Sequence, residues 1–271
     1  MGDAVRQTTF AAFDALAAGY DAGFTATALG SALRRLVWER AAMLFPPGAR
    51  LLEIGCGTGE DAVHLARRGH TILATDAAAR MVSAARAKSE RAGVAERVRC
   101  ECLPMESLSR ELRGETFGGV FSNFGAINCV ARVDVLAAEL ARLLVPGAPL
   151  MWVVMGRTVP WEWLWFLARG SSGKAFRRLR RDGVEWRGMT VRYPPPAELA
   201  RVLRQHYSGV RVTPLGFALP PSYAARWMER SPRTLAVLAR IERAAQRFSA
   251  LAGLADHYIV EATREPRHAG A

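Results

Sequence analysis

Three glycines at alternate positions, Gly55, Gly57 and Gly59, follow the apolar run Leu51-Leu52-Glu53-Ile54 and precede a stretch that opens with Glu60 and Asp61. Glycine lets a chain turn sharply and lets backbone approach a ligand closely, so a strand, such a turn and a helix together suit a nucleotide. The spacing departs from the dinucleotide pattern Gly-x-Gly-x-x-Gly, because the third glycine comes one residue early and Glu60 follows it. Carboxylates at a helix N-terminus repel a pyrophosphate there. The expected ligand is therefore phosphate-free, and a cationic sulfonium with an amine meets no objection. Asp76 ends the next apolar run, roughly 20 residues beyond the turn, where a carboxylate can accept hydrogen bonds from both hydroxyls of an unphosphorylated ribose.

The elements that must position these residues are legible as alternating signals. Leu51 to Ile54 reads as a strand, Glu60 to Arg68 as a helix ended by Gly69, Thr71 to Thr75 as a strand and Met81 to Ala92 as a helix. Val98 to Cys102 and Val120 to Phe124 read as strands, Val133 to Leu144 as a helix closed by Pro146-Gly147, and Leu150 to Met155 as a buried strand. Strands alternating with helices of about ten residues predict a parallel sheet covered on both faces. Before this core, Phe10 to Leu44 has helical spacing broken by Gly19, Gly23 and Gly30, and predicts two or three helices. After Gly156 come Trp-rich and Arg-rich stretches, the triple proline Pro194-Pro195-Pro196, a helix to His206 and a strand near Val210 to Thr213. Two amphipathic helices between Tyr223 and Leu254 and a last strand from His257 to Ala262 complete the chain. The division expected is a helical cap segment at 1–45, a cofactor-binding core at 46–155, a lid-like insertion at 156–193, and a C-terminal part at 194–271 with a helical insertion at 219–254.

The run from Glu53 to Gly59, with Asp76 beyond it, resembles the first motif and ribose acid of class I S-adenosylmethionine-dependent methyltransferases. The resemblance covers roughly residues 45–155 and includes Leu143-Leu144-Val145-Pro146-Gly147 as the turn into the fifth strand. It implies a Rossmann-like α/β fold, doubly wound around a mostly parallel seven-stranded sheet with helical cap insertions, and S-adenosyl-L-methionine as cofactor. By that likeness Glu53 lies under the methionine end, Gly55, Cys56 and Gly57 line it, Asp76 and Ala77 meet the ribose side, and Met81 packs near adenine or serves only as core. Two departures stand out. The acid often found after the third strand is replaced in CECLPMESL by Pro104 or Met105, leaving adenine to backbone groups, to Met105 or to Glu106. The frequent Phe-Asp before the fourth strand is Phe117-Gly118, so Ser122, Asn123 and Phe124 must supply the methionine-side contacts, although an Asn at a strand end also forms turns.

Such a cofactor is already activated, so the protein must chiefly align an acceptor with the methyl group and exclude water; a base is needed only for hydroxyl, thiol, carbon or protonated amine acceptors. His257, preceded by Asp256 at the start of the last strand, is the candidate base, against a structural or capping role; adjacent strand residues face opposite ways, so Asp256 need not orient it. Tyr20 could cover a sulfonium by cation–π attraction, or serve as a buried helix-end aromatic. His64 shares a helix face with Glu60, but no further His or Cys cluster completes a metal site, and none is expected. His70, His206 and His268 lie in turns or at element ends. In PWEWLWFLARG, Trp161, Trp163, Trp165 and Phe166 precede Phe176, Arg177, Arg178, Arg180 and Arg181. A substrate lid, a helix lying on an anionic membrane, and packing between insertion and core all fit that composition.

The net charge of +12, from 37 Lys and Arg against 25 Asp and Glu, suits an anionic substrate, a membrane surface or nucleic acid, yet arginine spread along helix faces is also an ordinary solvated surface. No nucleic-acid-binding module is visible. Cys56, Cys100, Cys102 and Cys129 form no Cys-x-x-Cys pair and suit reduced thiols. Asp3 and Asp14 interrupt the N-terminal stretch, and no apolar run reaches the ~20 residues that span a bilayer, so a soluble cytoplasmic protein is expected. The leading function is methyl transfer to a small or medium organic metabolite. Alternatives are a lipid or quinone methyltransferase at a membrane surface, and a non-catalytic cofactor-binding module. Oligomeric state is not legible.

Overall fold

A computed structural model of the chain describes residues 13–266. The start of the N-terminal segment, including Phe10, and His268 lie outside the described residues. Seven strands form one sheet: β1 (Arg50–Ile54), β2 (Thr71–Asp76), β3 (Val98–Cys102), β4 (Gly119–Ser122), β5 (Pro149–Met155), β8 (Tyr207–Leu215) and β9 (His257–Arg264). Their order is β3-β2-β1-β4-β5-β9-β8. The first five run parallel, and β9 inserts antiparallel between β5 and β8, with Met155 opposite His257 and Leu150 opposite Ala262. The fold is the Rossmann-like, mostly parallel α/β sheet that the alternating pattern predicts. β5 is apolar at nearly every position because both of its faces are covered.

Helices α1 (Ala28–Leu44), α2 (Glu60–Arg67) and α3 (Ala79–Arg91) pack one face of the sheet, where Leu33, Val37, Leu65 and Val82 join Leu51, Phe121 and Met151 in one core. Helices α4 (Val133–Leu143) and α6 (Pro196–Leu203) cover the other, where Leu136, Leu140 and Leu199 meet Val120, Trp152 and Val260. Local chemistry explains the boundaries. The Thr27 hydroxyl caps α1 by accepting from Gly30 N at 3.0 Å. Pro160, Pro196 and Pro232 begin α5 (Pro160–Leu167), α6 and α7 (Pro232–Ala245), where the missing N–H costs no hydrogen bond.

Two differences from the sequence reading bear on the site. The fourth strand stops at Ser122 instead of Phe124, because Phe124 adopts φ 47°, a left-handed conformation that a bulky side chain seldom takes. The insertion after β5 also contains a hairpin, β6 (Val184–Trp186) and β7 (Met189–Val191), that the hydrophobic pattern did not reveal. Its two-residue turn, Arg187-Gly188, has positive φ at both positions, as a tight hairpin turn following strand twist requires.

Candidate active site

A cavity of about 890 Å³ opens at the carboxyl ends of β1, β2, β4 and β5. The strand order reverses between β1 and β4, and open α/β sheets leave their ligand crevice at such a point. The three glycines of the turn do three different jobs. A Cβ on Gly55 would lie 2.2 Å from the Ala126 side chain, and one on Gly59 would meet Ala85 of α3 at 2.7 Å, so these two permit close packing. Gly57, at φ 52°, would present its Cβ to open space, leaving backbone bare toward the cavity.

Asp76 ends β2 beside that bare backbone. Its Oδ2 accepts from Gly57 N and its Oδ1 from Ala78 N, each at 2.9 Å. A carboxylate offers about four acceptor positions, so two remain for a diol. Burial pushes the Asp76 carboxyl up, against the opposing pull of these backbone N–H groups. This donor and acceptor set, with the uncovered Gly57 backbone, fits the ribose of a nucleoside cofactor.

The segment before α1 closes the cavity from above. Thr58 donates to Asp21 Oδ1 at 2.6 Å, and Lys88 Nζ lies 2.7 Å from Asp21 Oδ2 and 2.8 Å from Glu60 Oε2. Burial works to raise the Asp21 carboxyl, but Lys88 and Thr58 outweigh it and hold it below the usual range. This tether brings Tyr20 onto the cavity wall, where burial raises its phenol against the influence of Arg34. Phe13 meets Trp186 of the hairpin at a tilt, with ring centroids 5.6 Å apart, so the N-terminal segment and the insertion meet at the cavity wall.

Asp61 is the hub beneath the turn. It pairs with Arg34 in a buried salt bridge, accepts from Trp38 Nε1 at 2.7 Å, and accepts from Asn123 Nδ2 at 3.0 Å. The Asn123 Oδ1 accepts from Phe124 N at 2.9 Å, so its amide serves as the turn former that stabilises Phe124. These contacts correct the charge argument made from sequence. Glu60 pairs with Lys88, which Asp21 shares, and Asp61 pairs with Arg34, so neither acid stands as an unpaired charge at the start of α2.

Of the residues expected to hold a cofactor, Tyr20, Gly55, Gly57, Asp76, Ala77, Met81, Met105 and Asn123 border the cavity. Glu53 and Cys56 do not. Glu53 is buried behind the wall with no partner for Oε2, and burial, with Asp61 nearby, raises its carboxyl well above the usual range. Cys56 faces the core, where burial raises its thiol. His257 also lies off the wall, edge-on to Phe124 at 5.5 Å. Its Nδ1 sits 3.1 Å from Asp256 Oδ2, outside hydrogen-bond alignment, so the neighbouring acid does reach it despite their adjacent positions in the chain. His64 stacks on Trp38, and among the described residues no group of three or more His, Cys, Asp or Glu is arranged to hold a metal.

The aromatic residues of α5 are half-buried and engage neighbours within the protein, while Leu164 and Leu167 stay exposed. Trp161 Nε1 donates to Phe217 O at 3.1 Å, Trp165 and Phe166 flank Tyr223, and Trp163 meets Phe176. The cavity wall comes instead from the hairpin that follows: Val184, Trp186, Met189 and Val191, with Tyr193 just beyond. Asn128, unremarkable in sequence, fixes that hairpin: its Nδ2 donates to Met155 O and Arg192 O, and its Oδ1 accepts from Met155 N at 2.8 Å.

Residues 51–147 match the family model described as "Methyltransferase domain". The chain is 33% identical over 112 residues to a ubiquinone biosynthesis O-methyltransferase of Sinorhizobium medicae, covering 41% of this chain and 43% of that protein. It is 35% identical over 144 residues to a demethylmenaquinone methyltransferase of a Mycobacterium species, covering 51% and 56%. The aligned part thus spans about half the length of these curated relatives. Among solved structures, phosphoethanolamine N-methyltransferase 2 of Haemonchus contortus, in complex with S-adenosyl-L-methionine, superposes with TM-score 0.59 at 18% identity over 94% of this chain and 57% of that one. An S-adenosylmethionine-dependent methyltransferase of Mesorhizobium loti superposes with TM-score 0.53 at 18% identity over 89% and 99%. Residues 51–147 are similar to a methyltransferase domain, and the fold built around them is the one seen in these solved methyltransferases.

Proposed function

We propose that the chain is an S-adenosylmethionine-dependent methyltransferase acting on a small or medium organic metabolite with a flat or apolar body. The observation that carries the reading is Asp76 at the end of β2, with acceptor capacity to spare beside the bare Gly57 backbone and a large cavity alongside. Asp76 and Ala77 would hold the ribose side, Met81 and Met105 the adenine side, and Gly55, Gly57 and Tyr20 the remainder. Bound there, the cofactor supplies an electrophilic methyl group on a sulfonium.

The rest of the cavity describes the acceptor. Met155, Met189, Val191 and Trp186 make its wall apolar and aromatic, and Tyr193 adds one phenol that burial raises and keeps protonated, against the pull of Arg178 and Arg177. Such a wall excludes water and orients a ring or apolar chain by packing. Among the described residues no histidine borders it, and burial lifts the Cys129 thiol to about 11, so neither an imidazole nor that thiol supplies a base there at neutral pH. The acceptor that fits best ionises readily by itself or carries a free lone pair. A quinone-precursor ring, as in the names of the two curated relatives, belongs to that class.

Calorimetry with S-adenosylhomocysteine tests the site. Losing two charge-assisted hydrogen bonds predicts that Asp76→Ala weakens binding at least about tenfold; unchanged affinity overturns the assignment. Release of S-adenosylhomocysteine from S-adenosylmethionine in the presence of quinone-precursor phenols then separates an enzyme from a module that only binds.

A further inference from the structure

We propose that the outer face of α7, with the short helix Ala225–Glu229 before it, docks onto an anionic lipid surface. This surface lies apart from the cavity and rests on observations independent of the cofactor site. The orientation of α7 is set by Glu242. Its carboxylate is buried and accepts four backbone N–H groups, from Gly216 at 2.9 Å, Phe217 at 3.3 Å, Ala218 at 2.7 Å and Leu219 at 3.1 Å. Leu235, Leu238 and Ala239 pack with the core on the same side. The opposite stripe is thereby forced outward.

That stripe should be polar on an ordinary surface helix, and it is not. Val237, Ile241 and Ala244 follow one another at intervals of four and three residues, which places them on one face, and Phe248 lies just beyond the end of the helix. Val237 is 53% exposed, Ile241 48% and Phe248 61%, and Trp227 on the preceding helix is 50% exposed. Arg226, Arg230, Arg233, Arg240 and Arg247 are exposed around them, and among the described residues none has a carboxylate within ion-pair distance; Arg243, held by Glu39, is the exception on this helix. Glu229 is the one exposed acid in the stretch 225–248. Aliphatic and aromatic side chains rimmed by arginine are the composition of a helix lying in a lipid interface, where apolar groups enter the acyl boundary and guanidinium groups meet anionic headgroups.

The same charge pattern argues against other occupants. A two-fold contact between copies of this chain would set the arginines against one another. A nucleic acid could use only the arginines and the rings of Trp227 and Phe248, and would leave the aliphatic Val237 and Ile241 uncovered. The Trp-rich helix α5, which composition alone marks as a membrane contact, has its aromatic rings in half-buried contacts with Phe217, Tyr223 and Phe176, although Leu164 and Leu167 stay exposed.

Sedimentation of the whole chain with vesicles tests the proposal. Vesicles of equal parts phosphatidylglycerol and phosphatidylcholine should carry the protein down at low salt, pure phosphatidylcholine should not, and binding should fall as salt rises. At about fivefold per arginine, Arg240→Glu with Arg247→Glu should weaken binding about twentyfold or more. Val237→Ser with Ile241→Ser should also weaken it, while the circular dichroism spectrum and thermal midpoint of both double variants stay unchanged because all four side chains are exposed. Failure to sediment with the anionic vesicles, undiminished binding by the two double variants, or a solution mass that shows this face holding a dimer together would each overturn the proposal.

Discussion

At the scale of single residues, the buried pair Arg34 and Asp61 does most to hold the site in shape. Asp61 accepts from Arg34, Trp38 and Asn123, and through Asn123 it supports the left-handed backbone of Phe124. Burial works to lower the Arg34 guanidinium pKa, yet Asp61 raises it above the ordinary value, so the guanidinium stays charged. Removing one partner of a buried ion pair leaves the other charge uncompensated. Arg34→Met should therefore destabilise the protein by about 3–5 kcal/mol, read from urea midpoints. Arg34→Met combined with Asp61→Leu should cost clearly less than the sum of the single changes, because no lone charge then stays buried. Equal costs for the double variant and the sum would refute this coupling.

At the scale of elements, a chain of charges fastens the insertion after β5 to the last strand. Glu162 of α5 is fully buried, 2.8 Å from Arg177 Nε and 2.6 Å from Arg178 Nε, and Arg178 Nη2 reaches Asp256 Oδ1 at 2.9 Å just before β9. Burial alone would raise the Asp256 carboxyl, but Arg178 and His257 outweigh it and hold it far below the usual carboxylate range. A carboxyl whose folded pKa is depressed contributes stability that is fully present above its unfolded pKa of about 3.9 and is lost as pH falls further toward the folded value. The stability advantage of the native chain over Asp256→Asn should thus be constant above about pH 5 and shrink below about pH 4, measured by thermal melts across that range. An advantage that grows on acidification would contradict the sign. The same link seats the hairpin wall: Arg178 N–H groups also donate to Gly156 O and Asp256 O, where the insertion leaves β5.

At the scale of the whole molecule, the cavity is assembled from distant parts: the glycine turn, the ends of β2 and β4, the segment around Tyr20, and the hairpin at 184–191. A ligand bridging them should stabilise the folded chain as a unit. S-adenosylhomocysteine at a hundredfold excess over Kd should add about 2.7 kcal/mol and raise Tm by about 5–10 °C, and Asp76→Ala should lose most of that shift at the same concentration. An unshifted melting temperature for the unaltered chain at saturating ligand would count against the cofactor site. Among the described residues, arginines such as Arg34, Arg40, Arg178 and Arg243 are committed to carboxylates, while Arg240 and Arg247 near the outer face of α7, like Arg67, Arg68 and Arg181 elsewhere on the surface, are not. Among the described residues no helix is long and apolar enough to cross a membrane.

The features that the sequence alone determined are those written over a few neighbouring residues. The glycines need positive φ or close packing, Asp76 follows an apolar run, and periods of two and of three to four residues mark strands and helices, so the core from 50 to 155 was legible nearly element by element. Tertiary structure decided what depends on residues far apart in the chain. Arg34 finds Asp61 across 27 residues, Arg40 finds Glu261 across 221, and Asn128 finds Arg192 across 64. Arg40 and Glu261 meet only after the sheet has closed with β9 between β5 and β8. Likewise Glu60 and Asp61 look like unpaired negative charges in the sequence and find Lys88 and Arg34 in the fold. The Trp-rich stretch 160–181 and α7 both combine apolar and basic residues. Only the packing of Trp161, Trp165 and Phe166 in one, and the buried Glu242 in the other, decides which apolar side chains face inward and which are left to meet a partner.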